Sequence, residues 1–301
     1  VRINLDGTLL ATTFARPCAI HVDPMEKKPL FHFFPGEPIL SIGTAGCNLH
    51  CKNCQNAEIS QGNPEDVPAY ELQPEDVPAL AKKHGCRHVA YTYTEPLVSY
   101  EYTLACCQAS HAAGLHNVLV TAGYINEEPL RALLPFVDAA NIDIKAFSDK
   151  FYRDICSATL APVLRAVSVM REMGVHVEVT NLVIPTLNDN DEVFRQLCVW
   201  MRDQAGAEVP LHFSRFFPQF HMTHLPPTPV ETLLRARDIA RKEGLCHVYV
   251  GNVEVTDGET TCCSGCGERL VMRQRYVIRE NRITAAGLCP ACGKRIFGVW
   301  S

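Results

Sequence analysis

Cys47-Asn48-Leu49-His50-Cys51-Lys52-Asn53-Cys54 sets three thiols at the spacing C-x3-C-x2-C. It follows an apolar, β-like run, Ile39-Leu40-Ser41-Ile42-Gly43, and a flexible turn, Thr44-Ala45-Gly46. A glycine-bearing loop just past a strand lets three thiolates converge on one metal centre. Thiolate is a soft ligand that favours iron–sulfur clusters or zinc over hard cations. Three cysteines are one short of the four that normally close a cubane cluster. An iron without a protein ligand is a place for substrate, so the missing fourth cysteine matters as much as the three present.

Outward from this loop the chain alternates between two patterns. Strand-like runs fall at 39–43, 88–93, 117–121, 139–144, 176–184 and 210–217, with an extra one at 247–250. Helical candidates lie between them, near 74–84, 98–113, 127–135, 161–173, 190–204 and 229–243. Gly85, Gly114, Gly174 and Gly244 each sit where a helix should stop. Six β-then-α units imply a parallel sheet with crossover helices. The expectation is an α/β fold, a partial six-unit β/α barrel; an open doubly wound sheet is the rival. Residues 1–36 read as an irregular or short-β segment, 37–257 as the barrel and 258–301 as a separate small module.

In such folds chemistry collects at the C-terminal ends of strands. The second strand ends in Tyr91-Thr92-Tyr93-Thr94-Glu95-Pro96, where Thr94 and Glu95 are either ligand contacts or a helix cap. In Asn141-Ile142-Asp143-Ile144-Lys145 the alternation points Asn141, Asp143 and Lys145 to one face. Burying all three is expensive unless they pair or meet a ligand; an internal Asp–Lys pair is the structural alternative. In the fifth strand His176, Glu178 and Thr180 share a face and Asn181 closes the run. Past the sixth, His221 follows Pro218, and Arg215 is a candidate carboxylate binder.

The cysteine spacing and the Gln55-Asn56 that follows resemble the cluster loop of the radical S-adenosylmethionine (SAM) superfamily. Val22-Asp23-Pro24-Met25-Glu26-Lys27-Lys28-Pro29-Leu30, with Ser41–Cys47, is similar to the radical SAM protein of the AmmeMemoRadiSam system, itself similar to activases of glycyl-radical enzymes. The resemblance implies a radical SAM partial barrel in which Cys47, Cys51 and Cys54 hold a 4Fe-4S cluster. It implies SAM contacts at Thr94, Glu95, Asp143, Lys145, Asn181 and His221. It departs from the superfamily at Asn53, which stands where an aromatic is usual, and at the fifth strand, which lacks the activases' arginine. The implied reaction is reductive cleavage of SAM to a 5′-deoxyadenosyl radical that takes hydrogen from a protein or peptide; a small molecule is the alternative donor. The implied partners are a flavodoxin- or ferredoxin-like electron donor and proteins of the Memo and AMMECR families. Members of that family often carry a cysteine-containing segment upstream, and this chain begins Val-Arg, so a fragment or a shorter variant is expected.

A second metal signal is Cys263-Ser264-Gly265-Cys266 with Cys289-Pro290-Ala291-Cys292. Paired C-x2-C knuckles resemble a zinc ribbon, and four thiolates close a tetrahedral, structural site; an auxiliary iron–sulfur cluster competes. Fifteen cysteines, an odd number in a chain without secretion features, argue against a disulfide framework. Cys18, Cys86, Cys156, Cys198 and Cys246 read as small core hydrophobes. No apolar run approaches a membrane span, so a soluble, cytoplasmic protein is expected. Residues 260–301 carry a charge balance of +5 against −10 elsewhere, a basic module on an acidic body. The rival from another class is a non-catalytic zinc-ribbon module that docks nucleic acid through this tail. The acidic whole chain and the scarcity of aromatics among the tail's arginines count against it.

Overall fold

The computed structural model describes residues 1–301. Its strands are β1 (Arg2–Leu5), β2 (Thr8–Ala11), β3 (Pro17–Pro24), β4 (Pro38–Thr44), β5 (His88–Tyr91), β6 (His116–Thr121), β7 (Ala139–Asp143), β8 (His176–Val183), β9 (Leu211–Arg215) and β10 (Val248–Gly251). Three more follow in the tail: β11 (Thr261–Cys262), β12 (Arg269–Gln274) and β13 (Val277–Asn281). The main sheet runs β10-β9-β8-β7-β6-β5-β4-β3. From β4 to β10 every neighbouring pair is parallel, and only β3 runs antiparallel, against β4. The two end strands do not pair, so the sheet curls without closing. The six expected units are present, and the extra run becomes β10.

The segment 1–36, expected to be irregular or short β, is more integrated than that. Its β1–β2 hairpin stands apart, but β3 is a full member of the main sheet. Helices Val77–Lys83, Tyr100–Ala112, Ala161–Glu172 and Val230–Lys242 end just before Gly85, Gly114, Gly174 and Gly244. Those glycines take φ of +71°, +75°, +81° and +96°, the left-handed stop that disfavours any residue with a Cβ. No helix is long and apolar enough to cross a membrane.

Alternation along the strands separates two apolar layers. Val89, Tyr91, Leu119, Ile142, Val177, Val179 and Phe213 join the core under the helices. Ile39, Ala90, Val118 and Ala139 face inward and pack with Met25, Leu30, Phe33 and Phe34. The last four belong to the β3–β4 connection, which folds back under the barrel and plugs its N-terminal end.

The C-terminal module packs against that plug. Phe33 and Val299 form a parallel bridge, with the N–H of Phe34 donating to Val299 O at 2.8 Å. Arg273 Nη2 donates to Phe31 O at 2.6 Å, and its guanidinium lies 4.3 Å from the Phe31 ring centroid. The plug, the module and the strand starts share a polar layer around Glu178. Its carboxylate accepts from the N–H of His32 at 2.7 Å and lies 3.1 Å from His176 Nε2 and 2.6 Å from His212 Nε2. Burial works against that charge, but His176 and His212 overcome it and hold Glu178 well below the ordinary carboxylate range.

Candidate functional site

Cys47, Cys51 and Cys54 sit at the opposite, C-terminal mouth, in the loop leaving β4. The loop is fixed by backbone bonds rather than by its own secondary structure. The N–H of Gly46 donates to Ile59 O at 2.8 Å and that of Cys54 to Cys51 O at 3.1 Å. From across the mouth, Ile155 O and Cys156 O accept from the N–H groups of Lys52 and His50 at 3.0 and 2.9 Å. Cys51 is buried, while Cys47 and Cys54 are partly exposed. Ser60 Oγ lies 3.0 Å from Cys54 Sγ, and the N–H of Leu49 points at Cys47 Sγ at 3.3 Å. Burial, reinforced by Glu95, pushes the Cys47 thiol up to about 12. The neighbouring Cys156 brings the Cys51 thiol down to about 7 against the opposing effect of burial.

The other expected contacts divide. Asp143 and Lys145 reach the mouth together, Nζ to carboxylate 2.9 Å, with side chains 41% and 20% exposed. Burial opposes the Lys145 charge, but Asp143, Cys51 and Cys156 outweigh it and hold the ammonium well above the ordinary lysine range. The Asp–Lys pair anticipated as the structural alternative is therefore formed, yet it stays open to the mouth. Asn141, on the same face, lies lower: its amide donates to Pro29 O at 2.8 Å, and its oxygen accepts from Thr180 Oγ1 at 2.9 Å.

Glu95 is 1% exposed, and its carboxylate already accepts from Thr121 Oγ1 at 2.6 Å, the N–H of Ala122 at 2.7 Å and the N–H of Leu97 at 3.0 Å. Burial nonetheless raises it above the ordinary carboxylate range. Thr94 Oγ1 donates to Thr44 O at 2.6 Å. Both therefore act as braces between strand ends, Glu95 as the cap of the short helix Pro96–Ser99. Asn181 is buried, its amide donating to Ile144 O at 2.7 Å and to Lys145 O at 3.3 Å. His221 is exposed, but its N–H donates to Lys52 O at 3.0 Å, which brings its loop onto the cysteine loop. Arg215 is committed to Thr228 O at 2.8 Å.

Three features of the mouth escaped sequence reasoning. Tyr93 leans into the barrel, its hydroxyl donating to Asp23 at 2.6 Å with Lys28 Nζ 4.7 Å above the ring. Lys28, almost fully buried, pairs with the same Asp23 at 2.6 Å. Cys156 reaches the cysteine loop through its carbonyl, which accepts from the N–H of His50 at 2.9 Å, although it carries no motif. No spacing rule connects any of these, because each depends on strands meeting in space.

The two cysteine groups differ in how their sulfurs are gathered. Cys263, Cys266, Cys289 and Cys292 are the only group of three or more metal-binding side chains whose ligand atoms all lie within 4.8 Å of one another. The three loop sulfurs do not all lie within that distance of one another. Asn48 Oδ1 and Asn53 Oδ1, inside the loop, are buried without a hydrogen-bond partner. Such orphan acceptors are costly unless a ligand supplies donors. At the tail, Cys263 Sγ lies 3.6 Å from Cys292 Sγ and Cys266 Sγ 3.7 Å from Cys289 Sγ. A tetrahedron with zinc–sulfur bonds of about 2.3 Å has edges of about 3.8 Å, so this set can hold zinc.

Comparison with known proteins gives the same picture. Residues 41–198 match the model of the radical SAM superfamily. An uncharacterized protein of Methanocaldococcus jannaschii, MJ0808, is 44% identical over 298 residues, covering 98% of this chain and 88% of that protein. The pyruvate formate-lyase-activating enzyme of Clostridium pasteurianum is 25% identical over 175 residues, 56% of this chain and 72% of that one. Among solved structures, Streptococcus suis SuiB bound to the precursor peptide SuiA superposes with a TM-score of 0.56 at 11% identity, covering 76% of this chain and 52% of SuiB.

Proposed function

Because the chain belongs to the radical SAM superfamily, whose members use a 4Fe-4S cluster and SAM, we propose that Cys47, Cys51 and Cys54 hold that cluster at the barrel mouth and that the hydrogen donor is a protein or peptide. The observation that carries this is three thiols on one loop at the mouth, beside a mouth-facing Asp143–Lys145 pair and orphan loop acceptors, above an interior sealed from below. When bound, the reduced cluster and SAM supply a 5′-deoxyadenosyl radical that abstracts hydrogen.

The chain's own residues do the remaining work. Lys145 offers a fixed positive charge beside the cysteines, suited to a carboxylate, and Asp143 an acceptor for hydroxyl or amino groups. Asn53 and Asn48 offer buried carbonyl acceptors. The plug Phe31–Phe34 and the inward apolar layer keep water from entering through the base, which protects a reactive site from side reactions. Glu95, Thr94 and Asn181 hold the strand ends in register. The zinc-ribbon module, residues 258–301, lies on the barrel base and acts in support rather than in chemistry.

The protein-donor reading is supported by the relative whose name places it as an activator of pyruvate formate-lyase, itself a protein. A flavodoxin- or ferredoxin-like protein supplies the electron. The further proposal of Memo- and AMMECR-family partners rests on residues 22–30 and 41–47, and co-purification tests it.

Anaerobic reconstitution, reduction with dithionite and addition of SAM test the core of the proposal. The native chain takes up about four irons at the loop and one zinc at the tail, and releases 5′-deoxyadenosine. Cys51→Ala releases none. Equal release by the variant, or two zincs and no iron in the native chain, refutes the assignment.

A further inference from the structure

β10 is an end strand of the main sheet, and a cleft of about 570 Å³ opens where the chain leaves it. One wall is the loop 252–260, which turns back so that the N–H of Val250 donates to Gly258 O at 2.9 Å. A second is the tip of the β12–β13 hairpin, residues 273–276, and a third is Phe217, just past β9. The loop that carries Phe217 also lies on the cysteine loop. There Gln219 Nε2 donates to Gln55 O at 2.9 Å and the N–H of His221 to Lys52 O at 3.0 Å. The cleft therefore shares a wall with the mouth.

The charges that line the cleft are answered with one exception. Glu254 pairs with Arg275 at 2.8 Å, and Asp257 pairs with Arg269. Arg273 donates to Glu259 O, Thr261 Oγ1 and Phe31 O, with Glu26 3.8 Å away. The half-buried Glu259 carboxylate is in no ion pair. Burial pushes it up to about 7, with the charge of Arg273 opposing. In the same cleft Phe217 and Tyr276 are large apolar side chains left exposed.

Building on the reading that the hydrogen donor is a protein or peptide, we propose that this cleft docks a basic segment of that donor, a Lys or Arg side chain pairing with Glu259 while its alkyl stem lies on Phe217 and Tyr276. Long cationic side chains cover apolar surface with their stems and carry the charge at the tip. A half-buried carboxylate without a counter-ion gains from such a partner, whereas an acidic segment is repelled by it. An anchor beside the mouth also holds the donor's neighbouring residues close to the cysteines, which lowers the entropy cost of reaction.

The test titrates the full chain, carrying its tail zinc but no cluster and no SAM, with three acetylated, amidated tripeptides at about pH 8, where Glu259 is ionised. They are Ala-Lys-Ala, Ala-norleucine-Ala and Ala-Glu-Ala, and binding is followed by backbone amide chemical shifts. The lysine peptide binds about tenfold more tightly than the norleucine peptide, the worth of one charge-assisted hydrogen bond, and shifts the amides of residues 252–260 and 273–276. Glu259→Gln removes that preference, and Tyr276→Ala weakens both peptides. Glu280→Gln, on β13 outside the cleft, changes neither. Zinc content and thermal midpoint check the fold of each variant, and the native chain's preference decides the matter if Glu259→Gln fails to fold. Equal affinity for the three peptides overturns the inference, as does a lysine preference that survives Glu259→Gln. Because no cluster is present, a lysine preference in a chain that releases no 5′-deoxyadenosine on reconstitution keeps the cleft and removes the proposed reaction; release without the preference does the reverse.

Discussion

Glu95 and Asp143 are carboxylates at the upper ends of strands, and their surroundings give them opposite tasks. Glu95 has three internal donors and no solvent, whereas Asp143 has one partner and an open side. Glu95→Ala strands Thr121 and two backbone N–H groups, and costs about 3 kcal/mol, read as a lower urea midpoint. Asp143→Asn breaks a half-exposed pair, and changes stability by less than about 1 kcal/mol. In reconstituted protein it weakens SAM binding roughly tenfold, the worth of a charge-assisted hydrogen bond, by calorimetric titration. Unchanged affinity removes Asp143 from the proposed site. Sequence made Asp143 and Lys145 legible because strand alternation is local. It could not settle Glu95, whose fate depends on Thr121 and Ala122, more than two dozen residues away and on another strand.

Among elements, β4 carries the tightest constraint. A Cβ at Gly43 would lie 2.8 Å from Thr92 O and 2.9 Å from the Tyr93 ring, one of them backbone that cannot swing aside. Gly43→Ala therefore forces β4 and β5 apart at the mouth. The expected loss is about 2 kcal/mol in the denaturation midpoint, with lower iron uptake per folded chain. A variant of native stability with native iron content contradicts this close approach. The order of strands and helices was readable because glycine stops and period-two runs are properties of short windows. The place of β3 was not: its residues are half exposed and pair antiparallel to an otherwise parallel sheet, a fact set by the fold-back of residues 25–37. The π-type turn at Tyr152–Cys156 was equally invisible, because Tyr-Arg-Asp-Ile-Cys carries no signature of its own.

At the level of the whole molecule, the metal-binding tail, the plug and the polar layer around Glu178 form one assembly under the barrel. His247, buried there with its Nε2 unpartnered, is lowered by burial to about 4, with Glu178 opposing and Lys294 adding to the shift. An unfolded histidine takes its proton near pH 6.5, so between about 6.5 and 4 the unfolded chain binds the extra proton and stability falls with pH. The loss is on the order of 3 kcal/mol across that window. Glu178, depressed in the fold, adds a second loss only below the ordinary carboxylate range. A denaturation series over pH 4–8 checks this, and His247→Phe flattens the upper part of the curve. Cys289→Ala releases the zinc and lowers the thermal midpoint while leaving iron per chain unchanged; loss of iron as well shows that the two ends are coupled. With its base stoppered by this assembly, the barrel is open at the end that carries the cysteines. On the proposed function, nucleoside and its precursor would share that mouth, so a protein donor seated across it would have to lift away before the next round, and each docking event would yield one turnover.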